Sequence, residues 1–290
     1  MQPQDELFDR IAKRRPTMSK GHAKIADYIQ EHYDKTAFMT ALKFSEKVGL
    51  SESTIVRFAV GLGYEGYPEL QDALQDLVRN KLTTVQRMEI AIDMDKTALL
   101  HSVLKADINN IRMTVDSIDT AAFNQAAEKI CNAKRLYIMG LRSAAPMAQF
   151  LGYYLNFILD NVHIVTSGIN DILEQLVHIT PGDVLLGVSF PRYSQRTLDG
   201  LRFAKHKGAD IIALTDSLQS PLAEYANHLL VAKSDIASFV DSLVAPFSVI
   251  NALIVSVGLQ KKELIAQHFE ELEHIWGEYN VYTGKEKGQL

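Results

Sequence analysis

Cysteine is nearly absent from this chain. Its 290 residues hold one, Cys131, so no intramolecular disulfide can form and no multi-thiolate metal site can be built. Packing at the end of a helix, rather than reactivity, is its expected role. No uninterrupted apolar run reaches membrane-spanning length, and Met1 to Arg15 hold no apolar signal-peptide core. These absences predict a cytoplasmic protein with no membrane partner. An excess of basic charge is missing too: 30 Lys/Arg stand against 35 Asp/Glu. Residues 1–90 hold 13 of each sign, and residues 91–290 hold 17 basic and 22 acidic, so the whole net charge of −5 falls in the second stretch. A globally basic nucleic-acid surface is thereby excluded, and any phosphate contact must come from a local patch. The histidines show no HExxH or similar metal-ligating spacing. Nothing repeats at a fixed period, and no tract is of low complexity. With 47% hydrophobic residues, the chain is long enough for two domains with ample cores.

What is present is most informative between Thr40 and Leu62. The pattern there predicts a helix-turn-helix. A first helix carries Ala41, Leu42, Phe44, Ser45 and Val48, and Gly49 ends it, because glycine enters the left-handed conformation without steric penalty. Ser51 follows as an N-cap whose hydroxyl is expected to accept a bond from an unpaired amide. In the second helix Ile55, Ala59 and Leu62, with Phe58 beside them, form a buried stripe. Glu52, Ser53, Thr54 and Arg57 are left near the exposed N-terminal end, where recognition helices meet base edges and phosphates. Lys43, Lys47 and Arg57, with Arg14, Arg15 and Lys20 upstream, make the local basic patch. On spacing alone, an ordinary helical hairpin fits equally well.

Around this motif the first 80 residues are predicted to be helical. Ser19 caps a helix from Lys20 to about His32, with Ile25, Ala26 and Ile29 inward. Gly61, Gly63 and Gly66, with Tyr64, Tyr67 and Pro68, form a corner before a helix from about Glu69 to Asn80. The aromatics there are expected to pin that helix to the bundle. Residues 81–95 are polar and predicted to be a hinge or linker. A helix from Thr97 to Ser117 then carries Leu100, Leu104, Ile108 and Ile111 at near-helical spacing; it could cover the next domain or form a dimer contact.

From about Thr120 the period changes. A helix, Thr120–Ala133, precedes strands at Arg135–Gly140, Val162–Thr166, Val184–Ser189, Ile211–Thr215 and His228–Val231. Helices are predicted between them at Ala145–Leu159, Asn170–Ile179, Arg196–Lys207 and Pro221–Tyr225, with a last one from about Phe239 to Gln260 and a frayed tail from Gly277. Strands alternating with helices indicate a parallel sheet covered on both faces. The fold class is therefore an all-α helix-turn-helix domain followed by an α/β domain.

In such sheets ligands bind at the carboxyl ends of the strands. Gly140-Leu141-Arg142-Ser143-Ala144-Ala145-Pro146 follows the first strand, and Pro146 suits a first helical turn. Ser143 thus sits beside free amides and the positive end of a helix dipole, which favours phosphate or carboxylate. After the third strand Ser189, Ser194 and Thr197 supply hydroxyls, with Tyr193 beside them, and Arg192 adds a forked cation. Thr215-Asp216-Ser217 forms a third polar tip. Any one of these loops reads more readily as a plain N-cap; two after neighbouring strands point to an anion site. Gly140 has no second glycine nearby, which excludes a dinucleotide fingerprint.

With both halves in view, the chain resembles the RpiR-type transcriptional regulators, which join an N-terminal helix-turn-helix to a SIS (sugar isomerase) domain. Gly49–Phe58 followed by Leu62-Gly63-Tyr64 and Gly66-Tyr67 carry the first half of the resemblance. Gly140–Ser143, Asp183–Ser189, Thr215-Asp216-Ser217, Ser220–Ala223 and Phe239–Asn251 carry the second. The resemblance implies a regulator of DNA binding that senses a phosphosugar or sugar acid. It implies domains at 1–80 (helix-turn-helix), 81–118 (linker and connecting helix) and 119–277 (SIS), then a tail. The implied partners are a palindromic double-stranded DNA operator, a small anionic carbohydrate and a second or fourth copy of the chain, with no cofactor or metal. DNA contacts would fall on Lys43, Lys47, Ser51, Glu52, Ser53, Thr54 and Arg57. Ligand contacts would fall on Arg142, Ser143, Ser189, Arg192, Tyr193, Ser194 and Thr197. SIS domains usually carry a Ser-Gly-x-Thr phosphate loop after the third strand; here Pro191-Arg192-Tyr193-Ser194 occupies that position, with Arg192 in place of the glycine. Two other functions stay open: a phosphosugar isomerase drawing on Asp171, Glu174, His178 and His206, with Glu174 and His178 on one helical face, and a protein–protein adaptor.

Overall fold

The structure is a computed structural model that describes residues 6–81, 88, 99–168, 170–235 and 240–282. Contacts divide the chain into two units, Met1–Ala106 with Asp235–Asp241 and Asp107–Ser234 with Ser242–Leu290.

The first unit holds α1 (Glu6–Arg14), α2 (Lys20–Thr36), α3 (Ala41–Val48), α4 (Glu52–Gly61) and α5 (Tyr67–Lys81). Ser19 caps α2, its hydroxyl accepting from His22 N–H at 3.2 Å, and Ile25, Ala26 and Ile29 are fully buried. The helix runs on to Thr36, past the predicted end, through a break at His32 with φ −138° and ψ 34°. Phe44, Val48, Ile55, Phe58 and Leu70 fill the core beside them. Tyr67 is buried and donates its hydroxyl to the Met39 carbonyl at 2.8 Å, while Gln71 and Gln75 donate to the Ala37 carbonyl. The corner aromatic therefore fastens α5 to the chain leaving α2, as its sequence setting predicts. Burial raises the Tyr67 phenol well above its ordinary pKa.

Helix α6 spans Leu99–Ser117. Its buried side chains are polar: Asn110 and Thr114, whose hydroxyl accepts from Lys233 N–H at 2.8 Å. The apolar row Leu100, Leu104 and Ile108 is exposed instead.

In the second unit five parallel strands lie in the order β2-β1-β3-β4-β5: β1 (Leu136–Gly140), β2 (Val162–Val165), β3 (Val184–Val188), β4 (Asp210–Thr215) and β5 (His228–Val231). Side chains alternate between two cores, as the period-2 geometry of a strand demands. Leu136, Ile138, Val184, Leu186, Ile212 and Leu230 pack with α7 (Thr120–Asn132), α8 (Ala145–Leu155) and α11 (Val244–Gln260). Tyr137, Met139, Leu185, Ile211 and Ala213 pack on the other face with α9 (Ile172–Gln175) and α10 (Gln195–His206). A final helix, α12, covers Lys262–Glu278.

Several predicted elements change. The helix expected over Asn170–Ile179 is one turn, Ile172–Gln175, closed by a capping box between Asp171 and Glu174. Pro221–Tyr225 forms turns rather than a helix. Gly277 lies inside α12, not in a frayed tail. Phe157 meets the rings of Phe269 and Trp276 on α12 at 6.4 and 6.2 Å, and this cluster explains why the chain beyond Gln260 stays helical. Residues 81–95, apart from Lys81 and Met88, lie outside the described residues, as do Phe239 and residues 283–290.

Under β3, Asp183 is fully buried and accepts from Arg135 Nη2 at 2.7 Å, Arg135 Nε at 3.1 Å and Thr180 N–H at 2.7 Å. Burial pushes this carboxyl up, but the bonds from Arg135 and Thr180 and the guanidinium charge outweigh it, so its pKa is lowered. The stabilisation is complete above the unfolded carboxylate pKa of about 3.9 and is lost as pH falls through the lower folded value. Asp183→Ala should therefore lose about 2–4 kcal/mol at neutral pH. Urea denaturation of both proteins at pH 7 and below pH 4 checks this, since the gap must narrow in acid.

Candidate functional site

The N-terminal site is built on the turn between α3 and α4. Thr40 caps α3 by accepting from Lys43 N–H at 3.2 Å, and Gly49 ends it at φ 65°, ψ 42°. Helix α4 buries Ile55, Phe58 and Ala59, with Leu62 just beyond it, which turns Glu52, Ser53 and Arg57 outward; Thr54 is half-buried. Ser51 stands at the N-cap position, but its hydroxyl takes no amide. It bonds Ser53 Oγ at 3.0 Å and Thr54 Oγ1 at 2.8 Å, because those side-chain hydroxyls reach it first. Arg57 is steadied by donating Nε to the Ser53 carbonyl at 3.2 Å. The start of α2 lies against this turn: a Cβ on Gly21 would meet Leu50 at 3.8 Å and Thr54 at 3.9 Å. Lys20 and Lys24 are thereby brought to Lys43, Lys47 and Arg57, all exposed. Lys24 escapes sequence reading because it is 25 positions from Gly49, yet its Nζ lies 3.8 Å from where a Gly49 Cβ would sit. Arg15, counted in the predicted patch, is paired with Asp27 instead.

The second site lies at the carboxyl ends of the strands. The order β2-β1-β3 places the topological switch between β1 and β3, where a doubly wound sheet opens a crevice. Gly140 pairs with Val188, so the two loops leave adjacent strand ends. A Cβ on Gly140 would sit 2.5 Å from the Ala144 carbonyl oxygen and 2.8 Å from Ala148, so only glycine admits the tight turn into α8. That turn holds exposed Arg142 and Ser143, with Pro146 in the first turn of α8 as expected. After β3, Ser189 is buried and its hydroxyl accepts from Ser194 N–H at 3.3 Å. Ser194 is the N-cap of α10, without a side-chain cap bond. Thr197, in the first turn of α10, is fully buried, and its hydroxyl has no hydrogen-bond partner among the described residues. Tyr193 donates its hydroxyl to Asp216 Oδ1 at 2.7 Å, joining the β3 loop to the β4 tip. Thr215 Oγ1, within the same tip, bonds Ser220 Oγ at 2.8 Å.

Arg142 and Arg192 have φ of 56° and 63°. A non-glycine residue in this left-handed region is destabilised by about 1–2 kcal/mol, and such residues gather at functional sites. Arg192 thus takes up a conformation that glycine adopts freely, while adding an exposed guanidinium side chain.

The isomerase candidates do not assemble. Asp171 and Glu174 are spent on the capping box, and Asp171 also accepts from Arg196 at 2.8 Å. Helix α9 ends at Gln175, so Glu174 and His178 do not share a helical face.

Comparison with known proteins agrees with this division. Residues 6–81 match the helix-turn-helix domain of the rpiR family, and residues 129–256 match the SIS domain. The sugar isomerase domain of an RpiR transcription factor from Sphaerobacter thermophilus is 30% identical; the match covers 61% of this chain and 99% of that one, with a TM-score of 0.59. The chain belongs to the RpiR family. It is a transcriptional regulator with a helix-turn-helix domain and a SIS domain. A relative in Haemophilus influenzae, named as an uncharacterized HTH-type transcriptional regulator, is 27% identical over 78% of this chain and 79% of its own length. The Vibrio vulnificus NanR protein, solved as a complex with ManNAc-6P, shares the fold over 96% of this chain and 100% of its own, with a TM-score of 0.57 at 18% identity. In this RpiR-family chain, no described helix is long and apolar enough to cross a membrane.

The Gly140 contact makes a direct prediction for this regulator. Gly140→Ala should destabilise the SIS domain by about 2–3 kcal/mol through overpacking against Ala144 and Ala148. Chemical denaturation of the full chain measures it; an unchanged midpoint would mean that the β1–α8 turn relaxes freely.

Proposed function

We propose that the protein binds double-stranded DNA through α4 as paired copies on a palindromic operator. A small anionic carbohydrate, a phosphosugar or sugar acid held at the β1 and β3 loops, sets its affinity for that operator. Arg142 and Arg192, held at positive φ on either side of the switch between β1 and β3, carry this proposal. Guanidinium groups fork onto phosphate or carboxylate oxygens, and the beginnings of α8 and α10 add dipoles of favourable sign. Ser143, Ser189, Tyr193, Ser194 and Thr197 supply the neutral polar contacts, and the buried Thr197 hydroxyl, without a partner among the described residues, has bonding capacity left for a ligand. That NanR binds a phosphorylated sugar supports the ligand class.

At the DNA side, Ser53, Thr54 and Arg57 with Ser51 and Glu52 face the major groove, and Lys43 and Lys47 take phosphates. A patch this small in a unit of no net positive charge binds DNA in a salt-sensitive way and gains from pairing two reading heads. For the ligand to regulate, it must bind the DNA-competent and incompetent forms unequally.

Binding of the purified protein to DNA from beside its own gene, with and without a panel of sugar phosphates and sugar acids, tests both halves. One compound should alter a specific, salt-sensitive affinity. Arg57→Ala should weaken the complex by about tenfold or more and lower the salt slope by about one. The double variant Ser143→Ala, Arg192→Ala should keep DNA affinity and lose the response to the compound. An operator affinity that no compound alters would remove carbohydrate sensing, and a response retained in the double variant would move the pocket elsewhere.

A further inference from the structure

Asp216, at the tip of β4, is an acid only 3% exposed. Its Oδ1 accepts from the Tyr193 hydroxyl at 2.7 Å and lies 3.1 Å from Thr215 Oγ1. A carboxylate beside an anion site repels the ligand, so charge gives it no reason to be there. Its contacts do. The β3 loop passes from one face of the sheet to the other: Phe190 is buried in the core shared with α8 and α11, and Tyr193 packs against the core shared with α10. Arg192 stands at the crossing, in left-handed backbone. A non-glycine residue keeps that conformation only where its surroundings over-determine it. Here the chain is fixed on both sides. Ser189 N–H donates to the Leu214 carbonyl at 3.2 Å, and Ser194 N–H donates to Ser189 Oγ at 3.3 Å. The loop is thus tied to the end of β4 at residue 189 and again, through Asp216, at residue 193.

We infer that Asp216 is a positioning residue of the anion site: through Tyr193 it holds Arg192 in left-handed backbone and so fixes where the guanidinium is presented. The inference rests on the proposed anion site and names the residue that keeps it formed before a ligand arrives. Without the bond to Asp216, Arg192 gains by relaxing into ordinary backbone. A ligand must then restore the strained form, and its affinity falls. Two roles open to a buried acid here predict opposite signs. A mere neighbouring charge weakens anion binding, so its removal tightens it. A positioning acid strengthens binding, so its removal loosens it. What the position requires is an acceptor for the Tyr193 hydroxyl, not a charge, and an amide in place of the carboxylate should serve.

The full-length protein provides the test, titrated by calorimetry with inorganic phosphate and, in parallel, with gluconate, beside circular dichroism. Asp216→Ala should raise the dissociation constant of the anion that binds about tenfold, the size of a left-handed backbone penalty. Asp216→Asn should stay within about threefold of wild type, since its amide oxygen still accepts from Tyr193. In an Arg192→Gly chain, Asp216→Ala should change the constant by less than about twofold, because glycine enters that backbone unaided. A merely structural acid would lower affinity equally in both backgrounds. Should Asp216→Ala fail to fold, Tyr193→Phe, which deletes a single oxygen, completes the same cycle. Tighter binding in Asp216→Ala, or an equal loss in both backgrounds, overturns the positioning role and leaves the anion site standing. A wild-type chain that binds neither probe overturns the anion site and this role with it.

Discussion

Burial of β1, β3 and β4 on both faces is the constraint from which the second unit follows. Each of these strands sends alternate side chains into two separate cores, and a parallel strand so enclosed can only connect to the next by a covering helix. All carboxyl ends then fall on one edge of the sheet, and the helices that leave them begin there together. The loops after β1 and β3 meet because Gly140 is in register with Val188. Gly140 sharpens the geometry further, since the space for a Cβ is taken by Ala144 and Ala148. Polar chemistry at the strand ends is thus a consequence of apolar packing several residues away.

The same dependence orders the helix-turn-helix bundle. Burial of Ile55, Phe58 and Ala59 fixes the rotation of α4, and that rotation alone decides that Ser53 and Arg57 face outward. The hydroxyl chain of Ser51, Ser53 and Thr54 and the bond from Arg57 to Ser53 then preorganise the exposed end without needing charge. Residues 1–90, with as many acidic as basic residues, can still present lysines and an arginine together, because helix packing sorts charge by face rather than by count.

Charge is sorted along the chain as well. The uncharged α11 and the charged α12 follow each other with one residue between them. Polar side chains take the inner face of α6, where Asn110 and Thr114 are buried, while its aliphatics look outward.

Strand positions, the helix-turn-helix and the polar loops were legible from periodicity and turn chemistry, because residues 2 or 3–4 apart share a face whatever surrounds them. Gly49, Ser19 and the stripe of α4 are local in this sense, and so is the family resemblance they carry. Contacts made at long range were not legible. Lys24 reaches the turn only through the packing of α2 on Leu50 and Thr54, and Arg15 leaves the basic patch only because Asp27 is beside it. The hydroxyl of Ser51 chose side chains over an amide, a competition between near-equal bonds that spacing does not rank. The short α9 and the turns at 221–225 show the same limit: helix length depends on what the last turn packs against. The sequence by itself determined the order and type of the elements and the residues offered at each strand end. Only the tertiary structure decided which of those residues meet and that Arg142 and Arg192 take up left-handed backbone. It also decided which apolar faces remain uncovered, since each of these depends on neighbours remote in the chain.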